Sequence, residues 1–392
     1  MSPQLKIFLL LCSVATILLA PYLGAQLAFS GNFSDTFFAF PPLNVPAKSP
    51  FSLTVFLSVA AIGLLIVLLY AWPRLYGFRP GALEKRSLGS DFRLPPWFWI
   101  GLLLWGSTLI LLWGKFERPL WWINWAVIPL FWGFTLLLDG IVFRRTGGLS
   151  LFARQPHELL AMGLASCGGW MIFEWLNFFV NDNWYYPHGD RLSDDQFLLY
   201  AFLGSSGLMV MSFEWYSLFN SWEGFRRRYA NGPRITFGKI TKIILLVLAT
   251  VGLFTCAFIP DYSFGILWTS PLVILTITLS LLGIWTPFQL IREGNWTPVL
   301  FLALTYFIQG FLCECWNYFS GVHVAGQAVQ TINPDYWVYS IPFVDVLHVF
   351  EMPMLGLGGY LPFGIYCGVW WIVFAYLLRI PTQFNEEGHY DL

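Results

Sequence analysis

The sequence predicts an all-α, polytopic membrane protein of about ten transmembrane helices, on two observations. Of 392 residues, 57% are hydrophobic and only 11% charged, whereas a soluble domain carries about 25% charged residues. Apolar stretches also repeatedly reach the roughly 20 residues that cross ~30 Å of hydrocarbon as helix, without the short alternation of a membrane β-barrel.

In chain order, an apolar run at 7–29 follows Lys6. Its core is long and lacks a small-x-small cleavage pair, so it reads as an uncleaved first span. A Pro- and Phe-rich loop, 30–50, leads to span two at 51–72. Spans three and four, 96–114 and 121–143, form a hairpin with Lys115, Glu117 and Arg118 at its tip. Span five, 158–180, precedes an acidic loop at 181–196, and span six occupies 197–219. Arg226, Arg227 and Arg228 mark a polar break before spans seven and eight, 240–259 and 264–291, where Pro271 and Pro287 bend or end helix. Span nine, 296–319, is followed by a loop at 320–336. Residues 341–355 are too short and too polar for a lipid-facing span and read as a re-entrant or interfacial helix. A Gly-rich break at 356–362 precedes the last span, 363–378. The spans group as an N-terminal set at 1–120, a first repeat unit at 121–235, and a second at 236–392 with a short tail.

Charge supplies an orientation. With both termini cytoplasmic, the inner segments collect 17 of the 21 basic residues and leave Lys48, Lys115, Arg118 and Arg191 outside, as the positive-inside rule requires. The expected location is the cell's inner membrane. The net charge of -1 and the scatter of basic residues over loops argue against nucleic-acid binding.

The apolar runs are broken by carboxylates in a recurring pattern. Glu174 and Asn177 lie three residues apart, one helical face, and Glu314 and Asn317 repeat the pair 140 positions later. Each copy is followed by Trp-x-Tyr, Trp184 to Tyr186 and Trp337 to Tyr339, and by Phe-Glu, at Glu214 and Glu351. An even number of intervening spans gives a parallel repeat about an axis along the membrane normal. Trp and Tyr at a membrane boundary commonly serve as belt residues, and Asn as an interhelical hydrogen-bonding group. An ionisable group inside a span costs at least ~2.5–3.5 kcal/mol on insertion scales and marks a site or a pair by default. The candidate acid/base set is therefore Glu174, Glu314, Glu351, Asn177 and Asn317, with Trp184, Tyr186, Trp337, Tyr339 and Gln309 along the substrate path. Glu214 lies roughly 24 Å along its helix from the surface near which Glu174 and Glu314 sit, at 1.5 Å per residue, and is set apart. A carboxyl removed from water holds its proton more tightly, and aromatic rings beside it stabilise positive charge, a combination suited to acid-catalysed chemistry on an apolar lipid.

The six cysteines all fall in apolar stretches and suggest neither disulfides nor a zinc ribbon. His188, His323 and His348 lie beside carboxylates, but no ligand spacing joins them, so no metal site is expected. No P-loop or dinucleotide fingerprint is present, and no cofactor is indicated.

Two resemblances follow from these residues. Leu136-Leu137-Leu138-Asp139, Phe173-Glu174-Trp175-Leu176-Asn177, Trp184-Tyr185-Tyr186 and Phe350-Glu351-Met352-Pro353 resemble the landmarks of a family of bacterial multi-pass membrane proteins, over about Trp132 to Trp370. That resemblance implies a membrane location and no particular activity. The pairing of Glu174, Glu314 and Glu351 with Trp184, Tyr186, Trp337 and Tyr339 distantly resembles the membrane-integral lycopene cyclase domain, which implies an isoprenoid substrate. The first expectation is an isoprenoid- or lipid-modifying enzyme. The alternatives are a proton- or cation-coupled transporter or channel, and a non-catalytic subunit packed against partner membrane subunits.

Overall fold

The computed structural model describes residues 1–81 and 93–384. Lys85, Arg86, His389 and the tail from 385 lie outside the described residues. Among those described, ten helical segments are long and apolar enough to cross a membrane. They are α1 (Pro3–Ala28), α2 (Leu53–Ala71), α3 (Pro96–Trp113), α4 (Val127–Thr146), α5 (Pro156–Asn177), α6 (Asp194–Asn220), α7 (Lys239–Thr255), α8 (Phe264–Leu281), α9 (Thr297–Ser320) and α10 (Tyr360–Leu378). Among the described residues, strand is confined to three two-residue antiparallel pairs. These are β1 (Trp184–Tyr185) with β4 (Val338–Tyr339), β2 (Gly321–Val322) with β3 (Gln330–Thr331), and β5 (His348–Val349) with β6 (Met352–Pro353).

The connections sort to two ends of the bundle. At one end Lys48 Nζ donates to the Val180 carbonyl at 3.1 Å, Tyr186 N to the Pro42 carbonyl at 2.8 Å, and Ser52 N to the Phe343 carbonyl at 3.0 Å. At the other, Arg79 N donates to Asn231 O at 2.8 Å and Trp296 N to Tyr229 O at 3.0 Å. The Glu-x-x-Asn pairs end α5 and α9 at the first of these, called here the site end.

Lipid tails are as apolar as leucine, so close backbone approach and interhelical hydrogen bonds hold helices together where the hydrophobic effect cannot. Gly101 of α3 faces Gly133 of α4, and a Cβ at Gly101 would fall 2.5 Å from the Gly133 carbonyl oxygen. Indole N–H groups bridge neighbouring elements: Trp175 to Leu18 O at 3.0 Å, Trp370 to Ala165 O at 2.7 Å, and Trp132 to Ser206 Oγ at 2.8 Å. The inner helices are α4, α5, α6, α9 and α10, whereas α2 buries no residue. All six cysteines are free.

Two expectations are corrected. Span eight stops at Leu281 instead of running to 291, because Gly283 takes a positive φ of 65° and a 3-10 segment starting at Pro287 follows. Residues 341–355 contain no helix. Pro342 and Pro353 lack an amide donor, and Phe343, Leu347 and Phe350 all adopt positive φ, a left-handed conformation that breaks any helix and is strained for such side chains. The segment instead folds over the site end as turns and the β5–β6 pair. The Gly-rich stretch is a 3-10 turn, Gly356–Gly359, that runs into α10.

At Gly364 a Cβ would fall 2.1 Å from the Leu302 carbonyl oxygen, which sits on α9 and cannot yield. Gly364→Val is therefore expected to force α10 from α9 and to destabilise by about 1–3 kcal/mol or more. Thermal unfolding in detergent checks this, and an unchanged midpoint contradicts the packing.

Candidate functional site

The site is built at the ends of α5 and α9. Past Asn177 the chain turns back through Asn181 and Asp182, both at positive φ, a conformation that short polar side chains tolerate best. The Asn177 amide secures the return: its Nδ2 donates to the Trp184 carbonyl at 2.8 Å, and its Oδ1 accepts from Asn183 N at 2.8 Å. Trp184 and Tyr186 are thereby brought over Glu174, which accepts from Trp184 Nε1 at 3.2 Å and from the Tyr186 hydroxyl at 2.6 Å.

The same arrangement ends α9. Asn317 Nδ2 donates to the Trp337 carbonyl at 2.7 Å, and its Oδ1 accepts from Trp337 N at 3.2 Å. Glu314 accepts from Trp337 Nε1 at 3.1 Å and from the Tyr339 hydroxyl at 2.9 Å. It has a third donor, the Tyr360 hydroxyl from α10. Gly310 makes room for that ring, since a Cβ there would fall 2.5 Å from it. Asn and Trp are 7 residues apart in the first arrangement and 20 in the second. The additional residues form the β2–β3 pair, which leaves the carboxylate cradle unchanged.

The two arrangements meet through β1 and β4, where Trp184 pairs with Tyr339 and Tyr185 with Val338. Ser340 N extends the pairing to Asn183 O at 2.9 Å. Beneath this ribbon lies a cavity of about 70 Å³ walled by Trp184, Tyr186, Trp337, Tyr339 and Tyr360, with further aromatic rings from α4, α5, α6 and α9. Among the described residues its only carboxylate is Asp335, and no Lys or Arg lines it. Each glutamate thus stands behind tyrosines whose rings face one space, and a proton can pass between carboxyl and phenol along each hydrogen bond.

Trp184, Tyr186, Trp337 and Tyr339 are therefore not belt residues. All four are turned inward on carboxylates, the first two fully buried. The two asparagines hold loops and do not bridge helices. Gln309 does not reach the cavity wall: its Oε1 accepts from Trp215 Nε1 at 3.0 Å and its amide donates to Cys313 Sγ at 3.2 Å. Glu351 joins neither cradle. It lies near the surface, bonded to His323 at 2.8 Å and to the Tyr336 hydroxyl. Glu214 faces Asp139, carboxyl to carboxyl. Asp139 accepts from Trp97 Nε1, Ser150 Oγ and Phe152 N, each at 2.8 Å. The helix of span six does step at Ser205, but this leaves Glu214 apart from Glu174 and Glu314. His188 bonds the Val329 carbonyl at 2.7 Å and His348 bonds Asp345 at 3.0 Å, so the three loop histidines point to three different partners. No cluster of three metal-ligating side chains occurs among the described residues.

Sequence reasoning missed Tyr360 and Asp335 as site residues. Tyr360 follows the glycines of a helix break and carries no local signal, whereas Asp335 stands two positions before a Trp-x-Tyr and was discoverable from that adjacency.

Charge at the rim is unbalanced by burial. Desolvation raises the Asp182 carboxyl to about 7 despite Lys48 beside it, and desolvation lowers Lys48 to about 8. An aspartate in the unfolded chain titrates near 3.9, so the folded protein holds the extra proton between that value and about 7. Asp182 thus subtracts stability as pH rises through this window, and the loss is complete at pH ~8. Asp182→Asn, which also suits the positive φ, is expected to raise the unfolding midpoint by a few degrees at pH ~8 and to leave it unchanged at pH ~4. Melts at the two pH values check the sign; a gain only at the lower one contradicts it.

No family model, no curated protein and no solved structure matches the chain.

Proposed function

We propose that the chain is an integral membrane enzyme performing acid–base chemistry on the end of an apolar lipid, isoprenoid by its distant resemblance to the lycopene cyclase domain. The single observation that carries this reading is that two buried glutamates, each bonded to a Trp N–H and a Tyr O–H, back onto one aromatic cavity. In the reaction, a Glu–Tyr pair delivers a proton to an unsaturated bond, the aromatic walls stabilise the resulting positive charge, and the second pair removes a proton. A cavity of about 70 Å³ is far below the ~300 Å³ at which drug-sized ligands are accommodated. Only the reacting end of the lipid enters it, and the tail stays among the helices or in the bilayer.

The correspondence of the cradles supports an internal parallel repeat. Antiparallel pairing of Tyr185 with Val338, equivalent positions of the two Trp-x-Tyr segments, is the register expected from a local two-fold axis. The charge count supports an outward-facing site with both termini cytoplasmic in a bacterial inner membrane.

The alternative is a proton- or cation-coupled transporter, favoured by a second buried carboxyl pair, Asp139 and Glu214. The two readings separate in one variant. Glu314→Gln is expected to express and fold normally while one cellular lipid species loses its product by about 100-fold or more, the scale of a lost general acid or base. An unchanged lipid extract, with proton or cation flux in liposomes lost in the same variant, overturns the enzyme reading and supports transport.

A further inference from the structure

Among the described residues Asp335 is the one carboxylate in the cavity wall, and it has no cradle. Its backbone N–H donates to Asn333 Oδ1 at 3.1 Å, but among the described residues its side chain has neither a hydrogen-bond donor nor a paired cation. The residue is partly buried and lines the cavity. Glu174 and Glu314 are satisfied by indole and phenol groups and present those rings to the same space. A carboxylate left without partners costs most where water is scarce. Burial and the nearby Glu174 both hold its carboxyl well above the ordinary carboxylate range.

We propose that this cavity is a binding site for an organic ammonium group, with Asp335 as its counter-ion and Trp184, Trp337, Tyr186, Tyr339 and Tyr360 as its aromatic cage. Three features select that class. Ring faces attract a cation within about 6 Å of their centroids, and a quaternary or alkylated nitrogen, unlike a metal ion, asks little of them in hydrogen bonding. Metal ions of ordinary affinity need several oxygen, nitrogen or sulfur ligands, whereas the cavity offers one free carboxylate. Size agrees as well. One water occupies about 10–15 Å³ of such space, so about 70 Å³ takes roughly five or six non-hydrogen atoms, the bulk of a trimethylammonium group. The amine belongs either to a lipid headgroup or to a small soluble molecule, and both present the same chemistry to Asp335. This inference concerns only the charge that the cavity accepts and does not need the Glu–Tyr pairs to transfer protons.

The test is calorimetric titration of the full-length protein, purified in a neutral maltoside detergent, with tetramethylammonium chloride against a background of equal ionic strength in sodium chloride. Saturable binding is expected, at least tenfold weaker in Asp335→Asn. tert-Butanol, the neutral compound of matching shape, requires no variant and is expected to bind at least tenfold more weakly to the native chain. Equal binding of tert-butanol, undiminished binding by a monodisperse Asp335→Asn, or no binding of tetramethylammonium overturns the proposal. Choline and dodecyltrimethylammonium, compared at fixed detergent, separate the two sources: tighter binding of the long chain supports a lipid headgroup, and equal binding supports a free amine. Ammonium binding by the native chain, together with an unchanged lipid extract in Glu314→Gln, sinks the enzyme reading and leaves this one standing.

Discussion

Everything at the site end follows from the need to give two buried carboxyls hydrogen-bond donors where water is scarce. Among the described residues neither Glu174 nor Glu314 has a cation paired with it, so neutral donors must satisfy them. A hydrogen bond to a charged group contributes about 1.5–3 kcal/mol, and an ionisable side chain within a span costs at least about 2.5–3.5 kcal/mol. Two donors on Glu174 and three on Glu314 offset that cost. Most of the donors reside in loops, so the loops must fold down onto the helix ends. Asn177 and Asn317 fix the return path through backbone contacts, and the β1–β4 pairing is where the two returning segments meet.

Asp335 is the exception to this logic, and that gives it meaning. The surrounding structure spends donors freely on the two glutamates and none on the carboxylate that lines the cavity wall. Such incompletely satisfied buried groups are rare in folded proteins and call for a specific explanation; in the cavity, that explanation is a positively charged guest.

Much of this was legible in the sequence. Ten spans follow from the length of the apolar runs, because nothing else satisfies the backbone in hydrocarbon. Glu174, Glu314 and their Trp-x-Tyr segments stood out because carboxylates in spans are expensive. Other features were hidden for identifiable reasons. Periodicity could not show that Phe343, Leu347 and Phe350 take positive φ, since tertiary contacts impose that conformation, and a helix was expected in its place. Tyr360 reaches Glu314 only because Gly310 on the facing helix leaves space, a pairing between side chains 46 positions from each other, or more, along the chain. Glu351 shared its Phe-Glu motif with Glu214 but not its surroundings: His323 and Tyr336 draw it to the rim. Gln309 was placed correctly on its helix and wrongly in the cavity, because a helical face in a bundle touches neighbours as well as open space.

The central claim is that the two Trp-x-Tyr segments pair across the molecule and close one shared cavity between two glutamates. Cysteine cross-linking in native membranes tests it most directly, on a background in which the six native cysteines are replaced. Tyr185→Cys combined with Val338→Cys is predicted to form a disulfide rapidly under mild oxidation, because directly opposed strand residues lie within the Cα separation that a disulfide spans. Failure of that pair to cross-link, or equally fast cross-linking of Tyr185→Cys with a Val346→Cys placed beyond the paired strand, would contradict the shared cavity.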